Sequence, residues 1–182
     1  MSSGRLLGIC GSLRAASYNR MLMHEAARLF DAAEFTEADL RLPLFDEDIE
    51  AADGIPAQVQ TLADQIAQAD AVVIAVPEYN KALPGVLKNA LDWVSRTKNS
   101  PWADKPVAIM SATGGRAGGE RTQFSLRLCM VPFRPLLLMG PEVLVGQAKD
   151  QFDGQTLANP INYKALEELM AALRRAAGLP KA

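Results

Sequence analysis

Within the stretch Gly11-Ser12-Leu13-Arg14-Ala15-Ala16-Ser17-Tyr18-Asn19-Arg20, the neutral donors Ser12, Ser17 and Asn19 share a short segment with the forked cation of Arg14. Hydroxyl, amide and guanidinium groups are those that hold a phosphate monoester. The stretch falls between an apolar strand-like run and the start of a helical pattern, where free backbone N–H groups and the helix dipole favour an anion. The same residues also admit a plainer role, with Ser17 capping the helix and the arginines solvated. A nucleotide-hydrolysing P-loop is excluded, because the Gly-Lys-Ser/Thr ending is missing. Gly8 and Gly11 are wrongly spaced for a dinucleotide-binding G-x-G-x-x-G turn.

Two further segments carry chemistry of another kind. Pro77-Glu78-Tyr79-Asn80 sets an aromatic ring between a carboxylate and an amide, an arrangement that can border a flat heteroaromatic ring; taken alone it is a proline-initiated turn with an exposed tyrosine. Ala112-Thr113-Gly114-Gly115-Arg116-Ala117-Gly118-Gly119 is glycine-rich, which permits close approach of backbone to a ligand; taken alone it is a surface loop.

The elements that must position these segments follow from hydrophobic periodicity. Arg5 to Cys10 and Ala71 to Val76 are apolar runs of the kind buried on both faces of a parallel sheet. Pro106 to Ser111 is a further strand, Leu136 to Val145 a fifth, and Glu34 to Leu40 a second of mediocre composition. Between them run helical stripes: Leu22, Ala26, Leu29 and Phe30; Val59, Leu62, Ala63 and Ile66 behind Pro56; and Val86, Leu87, Ala90, Leu91 and Val94 after Pro84. Another helix is expected over Gly119 to Met130, and a last one over Asn162 to Ala177, ended by Gly178 and Pro180. Arg41 to Ile55 shows no period and reads as a loop. Five strands and five helices in alternation make a doubly wound α/β chain over residues 1–182, a single domain with helices on both faces of a parallel sheet of order 2-1-3-4-5. Ligands in such sheets bind outside the carboxyl ends of the strands, which is where the three segments fall.

Composition removes several alternatives. The net charge of -2, with both signs interspersed, argues against nucleic acid as a partner. The run Leu6 to Cys10 is too short for a leader or a membrane span, so a cytoplasmic protein away from membranes is expected. His24 is the only histidine, which excludes a His-rich metal site and, without G-x-S-x-G, a Ser-His-Asp hydrolase. Cys10 and Cys129 form no CxxC pair and read as reduced thiols. A phosphate loop, an aromatic loop and a glycine loop converging on one crevice are together what flavin mononucleotide (FMN) requires.

The combination Gly11-Ser12-Leu13-Arg14, Ser17, Asn19, Pro77-Glu78-Tyr79-Asn80, the segment from Pro84 to Trp93 and the pair Gly114-Gly115 resembles the NADPH-dependent FMN reductases, flavodoxin-like quinone and chromate reductases among them. The resemblance runs from the first strand to the helix after the fourth, and is weaker from Glu120 to Arg127. It implies that Ser12, Arg14, Ser17 and Asn19 hold the FMN phosphate. It further implies that Pro77, Glu78, Tyr79 and Asn80 line the ribityl chain and ring, and that Gly114 and Gly115 pass along the pyrimidine edge. It also implies a homodimer or homotetramer.

The resulting expectation is an FMN-dependent enzyme working by ping-pong hydride transfer. NADPH or NADH would be the donor, and a quinone, flavin, azo compound or chromate the small-molecule acceptor. The flavin carries the chemistry and no catalytic side chain is required. Tyr79 is placed near the substrate pocket, and Arg116 near the 2′-phosphate of NADPH. The alternative from another class is a non-enzymatic electron carrier of the flavodoxin type.

Overall fold

A computed structural model describes residues 4–180. The sheet has the expected order, with β1 (Arg5–Cys10) between β2 (Glu34–Glu37) and β3 (Ala71–Ala75), and β4 (Pro106–Ala112) beyond β3. All of these neighbours are parallel, with Leu6 opposite Ala71 and Val72 opposite Val107. Every residue of β3 is buried, which is why its sequence is a continuous apolar run without alternation.

Two apolar layers flank the sheet. On one side α1 (Tyr18–Phe30) and α6 (Pro160–Ala176) pack Leu22, Phe30, Leu166 and Met170 against Leu6, Val73 and Met110. On the other, α3 (Ala57–Gln68), α4 (Gly85–Ser95) and α5 (Glu120–Met130) pack Ile66, Leu91 and Leu126 against Leu7, Ile74 and Ile109. Odd and even strand positions face opposite layers, as the period of two requires. Arg174 of α6 is buried and donates to the carbonyls of Phe30 and Asp31 at the end of α1 and to Pro180, its guanidinium lying over the Phe30 ring. A cation at that position satisfies carbonyls the helix leaves open and matches its dipole.

Three expectations need correction. The second strand ends at Glu37 rather than Leu40, because the Asp39 carboxylate accepts from the Arg41 N–H two residues on and turns the chain out of the ladder. The segment from Arg41 to Ile55 contains a helix, α2 (Glu47–Asp53), so the helices number six rather than five among the described residues. Asp46 caps it by accepting from Asp48 N–H at 2.9 Å, and Glu47, Asp48 and Glu50 suit its positive end. It buries no residue and therefore leaves no apolar period to read.

The third correction concerns the far edge. Leu136 to Val145 is not one strand but two, β5 (Leu136–Leu137) and β6 (Val143–Val145), both parallel to β4. The chain bows away between them around Pro141, which lacks the N–H a ladder needs. A hairpin that the sequence did not announce follows, with β7 (Phe152–Asp153) against β8 (Thr156–Leu157). The segment before α2 is pinned to α4: Trp93 Nε1 and Asn89 Nδ2 both donate to the Pro43 carbonyl, and the Phe45 ring meets Trp93 edge to face at 5.0 Å.

Candidate active site

The three segments meet at the carboxyl ends of β1, β3 and β4 and enclose a cavity of about 380 Å³. The first contributes Ser12, Arg14, Ser17 and Asn19, the second Pro77, Glu78 and Tyr79, and the third Gly114. Tyr18, Ala112 and Thr113 join them, although the sequence did not single them out. Asn80, Gly115 and Arg116 are not among the residues lining it. A larger cavity, about 530 Å³, lies between the carboxyl-terminal parts of α4 and α5; none of the three segments contributes to it, and the buried Trp102 in its wall has an indole N–H without an acceptor among the described residues.

Ser17 stands at the cap position of α1 yet makes no capping hydrogen bond through its side chain. The backbone N–H groups from Ala15 to Arg20 donate to no other group among the described residues. This run of unclaimed donors at the positive end of a helix forms a cradle with the chemistry that suits an anion. Ser12 and Ser17 are buried beneath it.

The loop itself is held from outside by Arg20, whose Nη1 donates to the carbonyls of Arg14 (2.7 Å) and Ala15 (3.3 Å) while its Nε donates to Glu37 at 2.6 Å. Glu37 raises the Arg20 guanidinium above its ordinary value, and it also lies 3.1 Å from His24 Nε2. Arg14 curls back to donate to Ala16 O at 2.8 Å, so its guanidinium already sits on the loop. Cys10 lies below. Burial pushes its thiol up, outweighing the Ser12 N–H and Arg20, so no second negative charge competes for the cradle.

Asn19 takes a different place from that of a simple phosphate donor. Its amide is clamped to the end of β4, with Nδ2 donating to Ala112 O at 2.7 Å and Oδ1 accepting from Ala112 N–H at 2.9 Å. The first and third segments are thereby locked together. Glu78 accepts from the Thr122 N–H at 3.4 Å in the first turn of α5, and Thr122 Oγ1 donates to Pro77 O at 3.1 Å. Its carboxylate thus braces the second segment against α5, while Pro77, Glu78 and Tyr79 line the cavity. Asn80 and Lys81 have positive φ of 51° and 68°, so Tyr79 to Ala82 closes as a tight turn with paired backbone groups and a 51% exposed tyrosine.

The glycine segment is a platform of free donors. The N–H groups of Gly114, Gly115, Arg116 and Ala117 have no acceptor among the described residues. The outer side of the segment is tied to the chain after β6, with Thr113 N–H donating to Val145 O, Ala148 N–H to Thr113 O and Gln147 N–H to Gly115 O.

A parallel 2-1-3-4-5 sheet with an anion cradle after its first strand and donor loops after its third and fourth defines a flavodoxin-like protein. The sequence model of the NADPH-dependent FMN reductase family matches residues 5–150, and the chain belongs to that family. It is 40% identical to an NAD(P)H-dependent FMN reductase of Pseudomonas aeruginosa, over 96% of this chain and 97% of that one. It is 39% identical to a quinone reductase of Escherichia coli, over 93% and 91% respectively. Among solved structures, the flavoenzyme NAD(P)H:(acceptor) oxidoreductase FerB of Paracoccus denitrificans superimposes with a TM-score of 0.85 at 27% identity, covering 96% of this chain and 97% of that one. The expected fold and family are borne out.

Proposed function

We propose that the chain is an FMN-dependent NAD(P)H oxidoreductase that reduces quinones or comparable small acceptors. The observation that carries this reading is the pair of unclaimed donor sets that border one cavity, lined by Ser17, Tyr18 and Asn19 of the α1 cradle and by Gly114 of the glycine platform. The cavity's own residues suit FMN: the cradle, Ser12, Ser17 and Arg14 fit a phosphate dianion, and the platform fits a ring edge bearing acceptors. Bound flavin supplies the hydride-accepting and electron-donating chemistry.

The protein's part is to bind, orient and compensate charge. Ser12, Arg14 and Ser17 hold the phosphate, and Asn19 keeps the cradle in register with the glycine segment. Pro77, Glu78 and Tyr79 shape the wall along the ribityl chain and ring, and Asn80 turns the chain behind them. Gly114 and Gly115 offer N–H groups to the pyrimidine edge. Tyr79, half out in solvent, borders the mouth that donor and acceptor enter in turn, and Arg116 is the cation for a 2′-phosphate. No helix among the described residues is long and apolar enough to cross a membrane, and the reading is of a cytoplasmic enzyme. It is also of a homo-oligomer: Phe124, Leu128 and Val131, spaced as one face of α5 and the turn after it, are exposed apolar side chains that another copy would cover. Sedimentation of the purified chain as a monomer would remove that assembly.

The test is the visible spectrum of the purified, FMN-reconstituted protein before and after anaerobic NADPH. Oxidised-flavin bands that bleach at once support the enzyme; bands that persist point to a carrier needing a separate reductase. Absence of flavin after reconstitution overturns the reading. Arg14→Ala should weaken FMN about tenfold, the loss of one charge-assisted bond to a solvent-facing phosphate, as read by fluorescence titration of the apoprotein.

A further inference from the structure

Beneath the glycine segment lies a buried polar pair that the proposed reaction does not itself require. Ser111, at the end of β4, and Gln123, on the inner face of α5, are 0% and 1% exposed. Ser111 Oγ donates to the Gly118 carbonyl at 2.6 Å. Gln123 Nε2 donates to Ser111 Oγ at 2.8 Å and to Val143 O at 2.9 Å. Both amide hydrogens are therefore engaged, yet Gln123 Oε1 is buried without a donor among the described residues. A buried acceptor left unpaired loses its solvation with nothing to offset the loss. The two bonds that the same amide makes, to Ser111 Oγ and to Val143 O, hold it in place despite that unpaired oxygen.

We propose that Gln123, acting through Ser111, locks the Gly118 peptide and thereby sets the reduction potential of the flavin; this rests on the functional reading above. Gly118 and Gly119 have φ of +64° and +93°, where glycine peptides turn at little cost, so backbone geometry alone does not hold the direction of the loop amides. The Ser111 hydroxyl supplies the inner anchor, opposite the outer bonds from Ala148 and Gln147. A Cβ at Gly119 would lie 2.9 Å from Ser111 Oγ, which shows how closely the loop is drawn onto this hydroxyl. Donors fixed in advance where negative charge develops stabilise it more than mobile ones. Reduction places negative charge on the ring edge, so a locked platform favours the reduced form. Gln123 and Ser111 are positioning residues that reach the ligand only through backbone.

The test uses the FMN-reconstituted protein and the variants Ser111→Ala and Gln123→Leu, with midpoint potentials measured by dye equilibration. Reduced FMN should lose about tenfold in affinity relative to oxidised FMN, a fall of about 30 mV for a two-electron couple. Oxidised FMN should bind within a few-fold of wild type. In the apoproteins, hydrogen exchange of the Gly118 amide, which donates to Gly115 O, should quicken while that of β1 and β3 stays unchanged. Unchanged potentials on normally bound flavin overturn the lock and leave the functional reading standing. A wild-type chain that takes up no flavin overturns both the functional reading and the role in setting a potential. Should Gln123→Leu fail to fold, Ser111→Ala, which removes one oxygen atom, decides.

Discussion

Gly146→Ala should unfold at markedly lower temperature and bind FMN poorly, although the residue touches neither the cavity nor a helix cap. A Cβ there would press into the Arg116 carbonyl, 3.0 Å from its carbon and 3.1 Å from the Gly115 oxygen. These are backbone atoms on both sides, so no side chain can swing aside. The glycine segment would have to lift off the chain after β6, giving up the Gln147 N–H bond to Gly115 O. Overpacking of this kind costs about 3 kcal/mol. For a chain of this length that corresponds to a fall in Tm of roughly 10 °C. Thermal melts of the apoprotein measure the first effect and fluorescence titration with FMN the second. A variant within 2 °C of wild type, on the order of half a kcal/mol, would show that the two segments are not held together as described.

The second large effect is expected at Asn19. Alanine there strips both the N–H and the C=O of Ala112 of their partner at a site where Asn19 is 2% exposed. Each orphaned buried group costs about 1–3 kcal/mol, so a loss of about 4 kcal/mol is expected in urea denaturation. Asn19→Asp separates the two bonds. It keeps an acceptor for the Ala112 N–H but sets a carboxylate oxygen against the Ala112 carbonyl and beside the phosphate cradle. It should therefore destabilise the fold at least as much as alanine and, by repelling the phosphate, weaken FMN further than alanine does. If both substitutions left stability within about 1 kcal/mol of wild type, the clamp would carry no weight in the fold.

What the sequence disclosed was whatever is written in local pattern. β1, β3 and β4 are legible because burial on both faces leaves uninterrupted apolar runs, and their ends are marked by Ser12, Pro77 and the first glycines of the third segment. Eight expected site residues line one cavity for that reason: the strand order alone brings those ends together. Tertiary partners escaped. Asn19 reads as a donor to a ligand, but its partner lies ninety-three positions away, on a backbone whose needs leave no trace in residue type. Gln123 and Gly146 gave no local signal at all. Nothing in the sequence singled out Arg20, and only Glu37, arriving on the neighbouring strand, turns it into the brace of the loop before α1. Tyr18 enters the cavity wall while its ring rests against Phe152, on a hairpin too short to show a period.

The two margins of the sheet have a consequence for the life of the chain in a crowded solution. One margin is a four-residue strand that begins and ends in glutamate, and the other is broken into pieces of two and three residues by a bow around Pro141. Neither presents the long, flat row of open amides on which a foreign strand can template itself. A chain with this much valine, isoleucine and alanine in its central strands would otherwise risk stacking into fibrous aggregates. The irregularity of that last strand is therefore also a safeguard against uncontrolled polymerisation.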